Sequence, residues 1–166
     1  MYPSIIGTIQ FVSIQIGYMC DTKLFNLFYM ENYMLQMIHT PRDKACGGHY
    51  SHAVRAGDFI FVSGQTPRDG LRAVVGNTIE EQTAVTLENV RLTLEAAGGA
   101  LEDVVKVGVF LSDLADAARF DQVYARHFPT FRPARTTVGC ALNGVQVEID
   151  VVAYVPLSSR KQEVVR

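Results

Sequence analysis

At 166 residues the chain holds one domain's worth of sequence, enough to bury a core without disulfides or metals as staples. A net charge of -2 and a pI near 6.1 remove the general electrostatic reason to expect nucleic acid or an anionic membrane as partner, leaving small molecules and further copies of the chain. Three cysteines, Cys20, Cys46 and Cys140, form neither a CxxC nor a metal-ligand spacing in an aliphatic-rich chain, which favours a reducing, cytoplasmic setting.

Residues 1–36 differ in character from the rest of the chain, being rich in Ile, Phe, Tyr and Met with no sustained helical or strand period over residues 1–33. The first lysine is Lys23, so the basic start of a signal peptide is missing. Gln10, Gln15, Asp21 and Lys23 interrupt any apolar run of bilayer length. Two readings stay open: an extension outside the functional domain, with Met34 or Met37 as the natural start, or a hydrophobic arm used in assembly. Residues 37–156 are the expected domain and 157–166 a polar, frayed tail.

Within the domain, Ile38 to Tyr50 is a turn-rich lead-in, Ser51–Arg55 a strand with its turn at Ala56-Gly57-Asp58, and Phe59–Ser63 a buried strand bounded by Asp58 and Gly64. Pro67-Arg68-Asp69-Gly70 is a turn and Leu71–Val75 a short strand. Thr78-Ile79-Glu80-Glu81 has the form of a capping box, and Ile79, Leu87, Val90, Leu94 and Ala97 recur at helical spacing until Gly98-Gly99. Val104–Leu111 is a central strand. Asp113 or Asp116 then caps a second helix with a stripe of Phe120, Val123, Tyr124 and Phe128, ended by Pro129.

Val145, Val147, Ile149 and Val151 alternate with Gln146, Glu148 and Asp150, the period-two pattern of a strand with one apolar face. Pro133-Ala134-Arg135-Thr136-Thr137-Val138 precedes it, and Asn143-Gly144 between them is the dipeptide that favours a tight hairpin. A two-residue turn there places Arg135 and Glu148 on one face, offset by about 13 Å along the strands. Arg135 then grips a small carboxylate and presents it toward Glu148. Read from the residues alone, Arg135 also suits a structural ion pair with Asp150 or Glu148. The element order gives an α+β sheet with helices on one face, and the other face needs a cover that self-association can supply. His39, His49, His52 and His127 are not in metal-ligand spacing, so no metal is assigned.

Taken in order, Gly48-His49-Tyr50-Ser51-His52-Ala53, Phe61-Val62-Ser63-Gly64-Gln65-Thr66-Pro67, Leu87-Glu88-Asn89-Val90, Val105-Lys106-Val107-Gly108-Val109-Phe110-Leu111, Pro133-Ala134-Arg135-Thr136-Thr137-Val138 and Val147-Glu148-Ile149-Asp150 form a set. From Met37 to Pro156 that set resembles the RidA (YjgF/YER057c/UK114) family. The resemblance implies a chorismate-mutase-like mixed sheet with two helices on one face, assembled as a homotrimer with sites between subunits. It implies hydrolysis of 2-imino acids or their enamine tautomers to 2-keto acids and ammonia, without metal or organic cofactor. Arg135 matches the family's carboxylate-binding arginine and Glu148 the acidic residue that positions the attacking water. Tyr50, Ser63 and Gly64 match pocket positions, and Phe128 supplies an apolar wall. Thr137 stands where the family's best-known imine deaminases carry cysteine, and Arg135-Thr136-Thr137 looks more like branches that include 2-aminomuconate deaminases. A non-catalytic trimer that binds small carboxylates is the expectation from another class. Nucleic-acid cleavage, claimed for some relatives, is disfavoured by an acidic chain with no basic stripe.

Overall fold

In the computed structural model, residues 35–40 and 47–156 are described, and they lie in one unit spanning residues 32–166. The expected tail and nearly all of the expected N-terminal extension fall outside the described residues, though Gln36 already belongs to the first strand. Six strands, β1 (Gln36–Ile38), β2 (Ala53–Ala56), β3 (Phe59–Gln65), β4 (Val104–Leu111), β5 (Ala134–Gly139) and β6 (Val147–Tyr154), form one sheet in the order β1-β2-β3-β6-β4-β5. Among the described residues two α-helices, α1 (Ile79–Ala96) and α2 (Ala117–His127), complete the α+β arrangement. Leu71–Val75 forms no strand; the segment contributes only an isolated bridge between Arg68 and Val74.

Local chemistry accounts for the helix ends. The Thr78 hydroxyl accepts from the Glu81 N–H at 3.3 Å, and Glu81 Oε2 accepts from the N–H groups of Thr78 and Asn77 at 3.2 and 2.7 Å. Those amide donors hold the Glu81 carboxyl below the usual carboxylate range. Asp113 does cap, but its carboxylate accepts from the Ala115 N–H of a short 3-10 turn, Leu114–Asp116, that leads into α2. Asp116 makes no side-chain cap.

Alternation along the strands sorts the sheet into two faces. Ile60 and Val62 of β3, Val107, Val109 and Leu111 of β4, and Val147, Ile149, Val151 and Ala153 of β6 are buried in one cluster with Ile79, Leu87, Val90 and Leu94 of α1 and Phe120 and Tyr124 of α2. Each such aliphatic side chain contributes about 1.5–3 kcal/mol by leaving water, which fixes the register because a one-residue slip would expose the whole set. The opposite face carries Phe59 and Phe61 of β3 and Tyr154 of β6, 43%, 47% and 45% exposed, with Phe59 and Tyr154 in ring contact at 5.3 Å.

The expected hairpin of β5 and β6 does not form. β5 runs parallel to β4, with Arg135 beside Val107 and Val138 beside Phe110, while β6 lies antiparallel on the other side of β4. The chain leaves β5, crosses the end of β4, where Cys140 N–H donates to Leu111 O and Ser112 N–H to Gln146 O, and re-enters the sheet as β6. Asn143-Gly144 is still a turn, with Gly144 at φ 70°, but it sits within this crossing rather than between paired strands. β4, α2 and β5 make a crossover unit, and its parallel pairing takes the edge that a β5–β6 hairpin would have used.

Candidate active site, in two halves

The register separates the two residues expected to act together. Arg135 lies in the row of Val107 and Val151, whose side chains are buried on the helix side, and Glu148 lies in the row of Phe110 and Val138 on the open side. Two strand spacings and three residues put their Cα atoms about 14 Å apart, with the side chains leaving the sheet in opposite directions. A shared face within one chain is therefore corrected.

The helix-side half is a groove of about 500 Å³ lined by Asp121, Tyr124, Ala125, Phe128, Arg132, Pro133 and Arg135. The Arg135 guanidinium stacks 4.5 Å from the Tyr124 ring centre and 5.6 Å from that of Phe120, which holds a planar cation flat against the α2 aromatics. Its Nη1 donates to Asp121 Oδ1 at 2.7 Å, so the ion-pair partner is Asp121 and not Asp150 or Glu148. The Tyr124 hydroxyl is buried, and burial pushes the phenol above its ordinary value, opposed by the Arg135 charge beside it. Phe128 is buried against Tyr124 at 4.7 Å and lines this groove. Thr137, two residues after Arg135 and beside Val109, has the same strand parity and belongs to this half.

The open-face half forms around Glu148. Between Val62 and Gln65 of β3 the pairing with β6 slips by one residue, a bulge that contains Ser63 and Gly64. Ser63 is fixed there twice: its N–H donates to His52 O at 3.0 Å and its hydroxyl to Ser51 O at 2.7 Å. Gly64 is required by close approach, since a Cβ at that position would lie 2.0 Å from Glu148 Oε1. Gly108 makes the same room for Asp150, whose Oδ1 would be 2.7 Å from an added Cβ. The two acids, partly buried on alternate residues of β6, share this face. Burial first, and the Asp150 charge second, raise the Glu148 carboxyl above its ordinary value, leaving a more basic carboxylate than a solvated one. Tyr50, 49% exposed, precedes the Ser51 carbonyl that anchors Ser63 and so belongs to this end of the sheet.

The site residues named from sequence thus divide into Arg135, Thr137 and Phe128 on one side of the sheet and Glu148, Gly64 and Ser63 on the other, while Tyr50 lies in the bend before β2, next to the Ser51 carbonyl that anchors Ser63. Asp121 and Tyr124 were missed as groove residues, although they lie three residues apart on the same helix face. Tyr124 passed for core because its ring is core. Gly108 inside a run of β-branched residues was the available signal for the recess around Asp150. Among the described residues no group of three or more His, Cys, Asp or Glu is placed to hold a metal ion, and no helix is long and apolar enough to cross a membrane.

Comparison with known proteins decides the family. The profile described as Endoribonuclease L-PSP, that of the YjgF/RidA proteins, matches residues 41–155. The chain belongs to the RidA (YjgF/YER057c/UK114) family. It is 43% identical over 123 residues to a RutC family protein of Saccharolobus solfataricus, a match covering 72% of this chain and 98% of the relative. The crystal structure of RidA from an Antarctic Psychrobacter superposes with a TM-score of 0.68 at 36% identity, covering 72% of this chain and 99% of that one. E. coli TdcF with bound serine superposes with a TM-score of 0.67 at 31% identity, over 72% and 98% of the two chains.

Proposed function

We propose that this RidA-family protein hydrolyses 2-imino acids, or their enamine tautomers, to 2-keto acids and ammonia in a homotrimer, each site drawing Arg135 from one chain and Glu148 from its neighbour. The observation that carries the reading is the placement of a stacked arginine and a recessed, basic carboxylate on opposite faces of one sheet, so that neither half can complete the chemistry alone. Exposed Phe59, Phe61 and Tyr154 on the Glu148 face supply the apolar surface that association would bury. TdcF with bound serine supports a small 2-amino carboxylate as the class of molecule.

In this reaction Arg135 donates two parallel N–H bonds to the substrate carboxylate, a geometry lysine cannot match. Glu148 accepts a proton from water as its oxygen bonds to the imine carbon, while the C=N electron pair moves to nitrogen. The same carboxyl returns the proton to the carbinolamine nitrogen. Glu148 next takes the hydroxyl proton and delivers it to the amine, so the C–N bond breaks with ammonia leaving while the oxygen's electron pair forms the C=O of the keto acid. Burial suits the carboxyl to that exchange by bringing its proton affinity closer to neutrality. Tyr50, Ser63, Gly64, Thr137 and Phe128 line the combined site, and no metal or organic cofactor takes part.

Thr137 in place of cysteine favours a second substrate within the same chemistry, a 2-aminomuconate-type enamine. The Asp121 carboxylate already paired with Arg135 is the observation that suits a carboxylate-binding trimer without catalysis. The family profile names an endoribonuclease, but a net charge of -2 offers no footprint for a polyanion. Ammonia and keto-acid release from 2-iminopropanoate and 2-iminobutanoate generated in place tests the proposal. Acceleration by the wild type that disappears in Arg135→Ala and falls sharply in Glu148→Gln is expected. No acceleration by the folded wild-type assembly would overturn it.

A further inference from the structure

The carboxylate on Arg135 is the protein's own. Asp121 Oδ1 sits 2.7 Å from Arg135 Nη1, the position a substrate carboxylate must occupy to make a two-pronged bond with that guanidinium. Both residues line the same groove. We infer that Asp121 is a resident competitor, a specificity-determining residue that a substrate carboxylate must displace from Arg135. This rests on the assignment of Arg135 as the carboxylate-binding group and adds to it a residue on α2.

Three features make displacement workable. The Asp121 side chain is 56% exposed, so once released its carboxylate is taken up by water at little cost. Arg135 does not depend on Asp121 for its position, because the Tyr124 and Phe120 rings hold its planar group from one side. Asp121 also lies on the second turn of an eleven-residue helix, so its release leaves the backbone where it is. The consequence is selectivity. A ligand that offers a single weak contact to Arg135 does no better than Asp121, whereas one that engages both prongs and also fills the groove against Tyr124 and Phe128 does. Replacing Asp121 removes the competitor and one nearby negative charge, and both changes raise the affinity for anions.

The test is binding of pyruvate and propanoate, stable carboxylates that need no turnover, to the full chain by calorimetry or ligand-observed NMR. Asp121→Asn, which keeps the side-chain shape, is expected to lower Kd about two- to five-fold, the range an exposed ion pair can contribute. Asp116→Asn, which removes a carboxylate paired with Arg119 rather than Arg135, is expected to leave Kd unchanged and so separates competition from a general charge effect. An Asp121→Asn protein that binds these acids no better than wild type overturns the inference while leaving imine hydrolysis to its own assay. Equal gains in both variants overturn it too. Binding by none of the proteins, or binding that survives Arg135→Ala, removes Arg135 as the carboxylate site and the inference with it.

Discussion

Gly64→Ala separates a catalytic Glu148 from a merely solvated one. An added Cβ would meet Glu148 Oε1 at 2.0 Å, Cδ at 2.9 Å and Cγ at 3.1 Å, against 3.4 Å for ordinary contact. The carboxylate must therefore retreat by about 1.4 Å, a displacement of the order that costs around a hundredfold in rate when it separates reacting groups. The obstacle is the far end of a flexible side chain on a partly exposed face, and Gly64 has no left-handed backbone to strain. The stability cost is accordingly expected to stay under about 1 kcal/mol, a shift of a few degrees in Tm. The assay is keto-acid release from an imine made in place by an amino-acid oxidase, run beside a thermal melt of the same protein. A variant that melts normally and has lost about two orders of magnitude in kcat fits the recess as a catalytic device. One that melts normally and turns over at the wild-type rate refutes it.

Three further outcomes concern the same face of the sheet. Glu148 holds its proton more tightly folded than unfolded, so the stability it contributes is fully present below the ordinary value of 4.5 and is lost as pH rises through the raised folded value. Glu148→Gln is expected to melt higher than wild type at pH 7, and Asp150→Asn to move the acidic limb of kcat/KM to lower pH by removing the neighbouring charge; an unmoved limb would exclude Glu148 as the titrating group. Phe61→Glu, in the exposed aromatic patch, is expected to give a folded monomer without activity by sedimentation and turnover assays, and an active monomer would contradict a site shared between chains.

Much of the fold was legible because it is written locally. The capping box at Thr78 and Glu81, the β4 run and the alternation of β6 all rest on neighbours within a few residues, and each appears where expected; the run from Phe59 is also a strand, but Phe59 and Phe61 stand exposed on the open face where a fully buried strand was expected. The pairing of β5 was not legible. Asn143-Gly144 carries a true turn signal, but whether two flanking strands meet depends on what else can claim the edge, and β4 claims it through the α2 crossover. That single non-local fact moved Arg135 from the Glu148 face to the opposite one. Asp121 was hidden for a related reason: an acid on an amphipathic helix reads as solvated until the strand it meets is known.

The most direct test of a site built from two chains is subunit complementation between Arg135→Ala, inactive alone, and Glu148→Gln, sharply impaired alone. With random mixing of equal amounts, a site is intact when its arginine comes from the Glu148→Gln chain and its glutamate from the Arg135→Ala chain, so about one quarter of wild-type activity is expected to return. Mixed assemblies that form, by mass spectrometry of tagged chains, yet stay no more active than the parents would contradict the shared site.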